Sequence, residues 1–277
     1  MIELPFAHNE RYAVLGLGAS GMTAARALLA AGAKVVAWDD NAARRDAALG
    51  SGIPVAGLAD TDLGSFKALV LSPGIPSTFP KPHPVAARAK DARIPLICDV
   101  ELLLRAQATT RFLGVTGTNG KSTVTALLGH ILHQAGLAVD IGGNLGPAAL
   151  GLKPMGPHGN YVIELSSYQL ELIEARALAI GVLLNITPDH LDRHGGMDGY
   201  VAAKRRLFGL IKNDGTAVIG LDDEPCRAIA AELQAEGRLK VVGISANHTV
   251  GGGVYALGGR LVDDTAGRAD RVLSLDS

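Results

Sequence analysis

Two glycine-rich turns, each set between a short apolar run and an Ala/Leu-rich stretch, limit the folds open to this chain. "YAVLGLG" leads through "GLGASG" into "GMTAARALLAAG", and "RFLGVTG" leads through "GTNGKST" into "KSTVTALLGHILHQAG". A strand, a tight turn and a helix in that order open a βαβ unit, and two such openings call for two parallel sheets. In the first hundred residues "AKVVAWD", "KALVLSPG" and "PLICD" read as further buried strands. In the second part "GLAVDIGGN", "YVIELSS", "IGVLLNIT", "GTAVIG" and "LKVVGIS" do the same. The expected fold is α/β: a Rossmann-like unit over 1–107, then a P-loop NTPase-like unit with a mainly parallel sheet over 108–277. The junction falls in the polar patch from Arg105 to Thr110. From Thr249 onward "VGGGVYALGGRLVDD" alternates apolar residues among glycines and reads as a hairpin or edge strands.

Composition narrows the partners. Lysine and arginine total 26 against 27 acids, a net charge of -1, which offers no electrostatic attraction to nucleic acid or an anionic membrane. Cys98 and Cys226 are the only cysteines and lack metal spacing, so a reducing compartment and no disulfide framework are expected. The N-terminal stretch lacks the basic-then-apolar pattern of a secretion signal, and no apolar run is long enough to span a bilayer. A cytoplasmic monomer is the expectation.

"GLGASG" places Gly16, Gly18 and Gly21 at a strand-to-helix turn, where backbone N–H groups can approach a pyrophosphate. Asp39 ends the next strand, at the distance where a carboxylate takes a ribose hydroxyl. Alone, this pattern favours NAD. Its bland reading is a turn chosen for close helix–strand packing. "LSPGIP", with Ser72, Pro73 and Gly74, follows another strand at the same edge, or is a plain Pro-Gly turn.

The second loop is more specific. Gly117, Thr118, Asn119, Gly120, Lys121, Ser122 and Thr123 form a phosphate loop that departs from the Walker spelling, because Val115 stands where that pattern wants glycine. Backbone N–H groups there can cradle phosphates, Lys121 can reach the outer ones, and Ser122 can ligate magnesium. Val124, Leu127, Leu128 and Ile131 make the apolar stripe expected of the following helix, leaving His130 and His133 solvated.

Three further polar residues sit where a triphosphate would need them. Glu164 closes "YVIEL", where a carboxylate suits magnesium, although it could also serve the next helix as a cap. His190 in "NITPDHLDRHG" is open between a ligand and part of a capped turn. Lys204 in "YVAAKRRLFGLI" shares a helix face with Tyr200, Leu207, Phe208 and Ile211. A lysine in an apolar stripe must snorkel, find an anion or lose its charge. A neutral amine there can react with carbon dioxide to give a carbamate, an anionic metal ligand.

Taken together, "GVTGTNGKST", "GLGASG", "LSPGIP", "IGGNLG", "ELSSYQLE", "NITPDHLDRHG" and "YVAAKRRLF" resemble, in order, the Mur ligases, ATP-dependent amino-acid ligases of peptidoglycan synthesis. "ELSSYQLE" with "LSPGIP" is most similar to members that join D-glutamate to UDP-N-acetylmuramoyl-L-alanine. The resemblance implies that the first unit holds a UDP-sugar peptide rather than NAD, through Ser20, Asp39, Ser72, Pro73 and Gly74. It implies that Asn144 and Gln169 contact the muramoyl end, and that Lys121 and Ser122 contact ATP and magnesium. Glu164 is implied to ligate one magnesium ion, and His190 with carbamylated Lys204 a second. Lys121, Glu164, His190 and Lys204 are thereby implied as the catalytic set.

The chemistry implied is an acyl phosphate formed from ATP, then amide formation. Family members also carry a third domain for the incoming amino acid. "RADRVLSLDS" precedes it, so the expectation is a chain that binds its ligands but does not complete ligation. An NAD-dependent oxidoreductase, resting on the first loop, and a non-catalytic nucleotide-binding fragment are the rival readings.

Overall fold

The computed structural model describes residues 1–267 and 271–274. The rest of the tail "RADRVLSLDS", and with it the end of the 108–277 unit, lies outside the described residues. Strand β1 (Arg11–Leu15), helix α1 (Ala19–Ala30), β2 (Lys34–Trp38), α2 (Ala42–Gly50), β3 (Ala68–Leu71), α3 (Pro84–Asp91), β4 (Leu96–Ile97) and α4 (Asp99–Ala106) come first. They give a parallel four-stranded sheet in the order β2-β1-β3-β4. Helix α1 ends at Ala30 with Ala31 as its C-cap, and Gly32, the glycine that closes "GMTAARALLAAG", follows in the left-handed region at φ +80°.

The chain then runs through β5 (Arg111–Thr116), α5 (Lys121–Gln134), β6 (Val139–Gly143), β7 (Asn160–Glu164), α6 (Ser167–Leu170), β8 (Leu178–Leu183), α7 (Leu191–His194) and α8 (Met197–Gly209). It ends with β9 (Ile211–Gly220), α9 (Glu224–Glu236), β10 (Lys240–Ser245), β11 (Val254–Leu257), β12 (Arg260–Asp263) and β13 (Arg271–Ser274). Among the described residues these strands make one sheet, β13-β12-β11-β10-β9-β8-β5-β7-β6. It is parallel from β6 to β11. The glycine-rich tail adds the antiparallel β11–β12 pair, with β13 beyond it. α9 shows why such elements start and stop where they do: Asp223 accepts from Cys226 N at 2.9 Å, Pro225 sits in the first turn, and left-handed Gly237 ends it.

Register decides what meets what. Leu15 pairs with Trp38 and with Leu71, so the chain leaves β1, β2 and β3 at one level. Val115 pairs with Glu164, Thr116 with Leu183, and Gly143 with Glu164, which aligns the carboxyl ends of β5, β6, β7 and β8. Parallel strands deliver their following loops to one edge, and the glycine turns lie there.

Helix α4 ties the two sheets through buried carboxylates. Asp99 accepts from Ala149 N at 3.2 Å, and Glu101 accepts from Glu174 N and Ala175 N at 2.9 Å each. Glu101 also pairs with Arg105 at 2.7 Å. One apolar core, from Ile2 and Leu28 to Phe208 and Leu233, runs across both.

The apolar face of α5 differs from the sequence expectation. Leu127 and Ile131 are half exposed, at 53% and 51%, whereas Val124, Leu128 and Leu132 pack on Val115 and Val162 of the sheet. The inward face is centred on Thr125 and Gly129. Ile141 fills the space where a Gly129 side chain would lie, so small residues, not the largest ones, set the docking line. His130 and His133 are exposed, as expected. On α8, Tyr200, Lys204, Leu207 and Phe208 are all buried. Ile211, placed on the same helix face by periodicity, is buried instead as the first residue of β9.

The first glycine turn gives a paired test. A Cβ on Gly21 would run into the carbonyl of Gly16, while one on Gly18 meets nothing within 4 Å. Gly21→Ala should therefore destabilise the chain by about 2–3 kcal/mol in urea titration, as overpacking does, with Gly18→Ala close to unchanged. Equal stability of the two variants would contradict this packing.

Candidate active site

At the first sheet's carboxyl edge the polar groups lock the loops together. Asp39 Oδ2 accepts from Leu17 N at 2.7 Å, its Oδ1 accepts from Asn41 N at 2.8 Å, and Arg44 stands 3.4 Å away. Burial works to raise the Asp39 pKa, but these hydrogen bonds outweigh it and hold the carboxyl below its ordinary value. The Ser72 hydroxyl donates to Gly16 O at 3.0 Å. Pro73 is half-buried and Gly74 exposed beside it, and Gly74 O accepts from Arg193 of α7 at 3.0 Å, across to the second sheet. Ser20 takes a different direction: its hydroxyl lies near buried Asp99 and favours that residue's carboxylate form.

The second edge is more crowded. Gly117, Thr118, Asn119 and Gly120 form the turn into α5, and Gly120 takes a left-handed φ of +79° at the helix N-cap. Asn185, just past β8, clamps that turn: its Oδ1 accepts from Thr118 N at 3.1 Å and Asn119 N at 2.9 Å, while its Nδ2 donates to Asn119 O at 3.2 Å. The sequence reading did not single out Asn185, although its place directly after a strand at the loop-bearing edge was the available signal. Lys121 Nζ donates to Thr118 O at 2.8 Å, folding the ammonium back over the loop. Ser122 and Thr123 are exposed on the first turn.

Glu164 is 1% exposed, yet both its oxygens are engaged. Ser122 Oγ donates to one at 2.7 Å and Asn144 Nδ2 to the other at 2.7 Å. The loop, the β7 carboxylate and the "GGN" turn thus form one hydrogen-bonded group. Beside it lies a polar cavity of about 130 Å³ lined by Lys121, Asn144, Ser166, Ser167, Tyr168, Asp189, His190, Tyr200 and Lys204. His190 is in the left-handed region at φ 51°, sits at the N-cap of α7, and lies 3.4 Å from Asp189. Lys204 Nζ donates to Gly117 O at 2.7 Å and sits 4.6 Å over the Tyr200 ring. Gln169 stands apart from the cavity. Its Oε1 accepts from Ser166 N and Ser166 Oγ at 3.0 Å each, completing a capping box on α6.

Comparison with known proteins decides the family. Residues 115–257 match the model of the Mur ligase middle domain. A UDP-N-acetylmuramoylalanine–D-glutamate ligase of Paramagnetospirillum magneticum is 53% identical over 264 residues, 95% of this chain. This chain belongs to the Mur ligase family. A ligase of the same name from Rhodospirillum rubrum is 52% identical over 267 residues, again 95% of the chain. The chain spans 58% and 56% of the lengths of these two relatives. Among solved structures, a UDP-N-acetylmuramate:L-alanyl-gamma-D-glutamyl-meso-diaminopimelate ligase from Neisseria meningitides superposes with a TM-score of 0.58 at 19% identity, covering 96% of this chain and 84% of that one. A UDP-N-acetylmuramoyl-L-alanyl-D-glutamate–2,6-diaminopimelate ligase gives 0.51 at 21%, covering 96% and 53%. The fold of this Mur ligase chain is therefore the α/β fold of those enzymes.

For magnesium, Ser122 and Glu164 are suitable donors in this Mur ligase. A hard cation binds through one or two protein oxygens and completes its shell with phosphates and water. No cluster of three or more His, Cys, Asp or Glu suited to a metal occurs among the described residues. The pair His190 and Lys204 does not fit as it stands, because an ammonium has no lone pair to offer. Burial pushes the Lys204 pKa down to about 7, with the Lys121 charge adding to it and Asp189 opposing.

The lysine's burial has a pH signature. Unfolded, Lys204 keeps its proton up to about 10.5; folded, only to about 7. Between those values the unfolded chain binds more protons, so stability rises with pH across that window. Lys204→Met removes the penalty and should raise the melting temperature by several degrees more at pH 6 than at pH 9, in buffer freed of carbon dioxide. Equal shifts at the two pH values, by differential scanning fluorimetry, would show that desolvation of the amine is not what the residue costs.

Proposed function

We propose that this chain supplies the substrate-binding and ATP-binding parts of a ligase that joins D-glutamate to UDP-N-acetylmuramoyl-L-alanine through an acyl phosphate. The observation that carries this reading is the group Lys121, Ser122, Glu164 and Asn144 at one sheet edge, facing a cavity that two lysines make anion-seeking. The D-glutamate ligases at 53% and 52% identity support the substrate assignment. The unit 1–107 takes the UDP moiety, and the unit 108–277 takes ATP and the reacting carboxylate.

In this reading the 117–123 backbone cradles the triphosphate, and Lys121 swings from Thr118 O onto its outer oxygens. Ser122 and Glu164 hold magnesium, which offsets the repulsion between a carboxylate and a triphosphate. Asn144 orients Glu164 and meets the muramoyl end together with Gln169, whose side chain is held by Ser166. Asp39, Ser72, Pro73 and Gly74 present the first sheet's edge to the UDP. Ser20 acts one step back, through Asp99. The substrate carboxylate attacks the γ-phosphorus, ADP leaves, and the D-glutamate amine then displaces phosphate from the acyl carbon. Lys204, with a pKa near 7, is half neutral at that pH and adds to carbon dioxide, releasing one proton and becoming a carbamate. Beside His190 it then offers an anion to a second magnesium. No helix among the described residues is long and apolar enough to cross a membrane. We place the protein in the cytoplasm as a monomer.

Calorimetry on this chain tests the reading. ATP with magnesium and UDP-N-acetylmuramoyl-L-alanine should each bind, and Lys121→Ala should abolish the first while sparing the second. Binding of NADH in place of the UDP ligand would overturn it. For the carbamate, 13C-bicarbonate should give a carbamate NMR signal at pH 8 that fades at pH 6 and is missing in Lys204→Met. The same signal in that variant would remove Lys204 as its site.

A further inference from the structure

His194 is used by none of the chemistry above, yet it joins two walls of the cavity. Its side chain is fully buried, stacked on Tyr168 at 5.3 Å and 12° and tilted against Tyr200 at 5.3 Å. Those rings fix its plane and so the directions of both nitrogens. Nδ1 lies 3.0 Å from Glu171 Oε1, and Nε2 lies 2.9 Å from Ser167 Oγ. Ser167 and Tyr168 belong to α6 and Tyr200 to α8, and all three line the cavity.

The carboxylate of Glu171 can only accept, so it selects the tautomer with hydrogen on Nδ1. A neutral ring in that tautomer leaves Nε2 as an acceptor, and the Ser167 hydroxyl must donate to it. Burial favours the neutral ring and outweighs Glu171, holding the His194 pKa below its ordinary value. With its single hydrogen turned to His194, Ser167 shows the cavity only oxygen lone pairs.

We propose that Glu171 and His194 are positioning residues that fix Ser167 as a hydrogen-bond acceptor, and that Ser167 thereby reads a ligand N–H. The identity of that N–H rests on the substrate reading above. A carboxylate held near Lys121 and Lys204 by an alanyl group carries its own amide N–H three bonds from the carboxylate oxygen. The cavity is thus divided by polarity: cations for the carboxylate, and a forced acceptor for the adjoining amide. An ester in place of that amide puts oxygen lone pairs against oxygen lone pairs and is rejected.

Two measurements on the intact chain test this. Nitrogen-15 NMR of histidine-labelled protein, with His194 assigned by its loss in His194→Gln, should show Nδ1 protonated and Nε2 bare at pH 7.5. Glu171→Leu should erase that preference, which a merely structural contact would not do. A protonated Nε2 in the unaltered protein overturns the proposal. In calorimetry, UDP-N-acetylmuramoyl-L-alanine should bind on the order of tenfold more tightly than its ester analogue, the size expected of one hydrogen bond with an unpaired alternative. Ser167→Ala should close that gap. Equal binding by the unaltered protein, or a gap that persists in Ser167→Ala, overturns the amide recognition. Failure of both ligands to bind overturns the substrate reading alone, because the tautomer settles the polarity of Ser167 without any ligand.

Discussion

Parallel pairing of β5 with β7 and β8, in one register, is the constraint on which the site depends. Pairing of Val115 with Glu164 and of Thr116 with Leu183 brings the phosphate loop, a carboxylate and the Asn185 clamp to one level. A slip of one residue would turn Glu164 to the opposite face and break its bonds to Ser122 and Asn144. Apolar residues on both faces oppose that slip. Tyr161 and Ile163 pack toward the large core, and Val162 toward the smaller one under α5. Burial thus holds the polar group in place, rather than the reverse.

The second constraint is electrical. Asp99 and Glu101 are almost wholly buried on α4, and buried carboxylates are tolerated only where hydrogen bonds replace water. Their partners come from distant segments: Ala149 for Asp99, and Glu174 with Ala175 for Glu101. Burial nevertheless raises the Asp99 pKa, so those bonds do not fully repay its desolvation. The two sheets are joined by contacts whose loss would strand a charge. That makes their relative placement more specific than apolar contact alone. The bond from Arg193 to Gly74 adds a bridge at the loop edge itself.

Lys204 carries the opposite sign and the same logic. It is buried on the α8 face that also buries Tyr200, Leu207 and Phe208, and its ammonium meets only Gly117 O and the face of the Tyr200 ring among the described residues. The amine is therefore destabilised in its charged form beside the loop that would bind a polyanion. A site that keeps such a group gives up stability for reactivity or ligand attraction. His194 belongs to the same region but is satisfied at both nitrogens, so its effect is to orient rather than to react.

Local chemistry in the sequence was enough to locate the glycine turns, the alternation of strands and helices, and the odd lysine on α8. These depend on neighbours within a few positions: β-branched runs, a left-handed glycine at Gly120, the spacing of Tyr200 and Lys204. The hydrophobic face of α5 was not legible, because Gly129 lets Ile141 approach and so overrides the larger Leu127 and Ile131. Nor were the turning of Gln169 into a cap, the nearness of Ser20 to Asp99, or the chain from Glu171 through His194 to Ser167. Each joins groups whose partner is chosen by three-dimensional packing among several that the sequence permits. Sequence alone located the glycine turns, the polar residues that follow strands and the lysine in an apolar helix face. Tertiary structure decided which way those residues point, because hydrogen-bond direction and burial exist only once the sheets are in register.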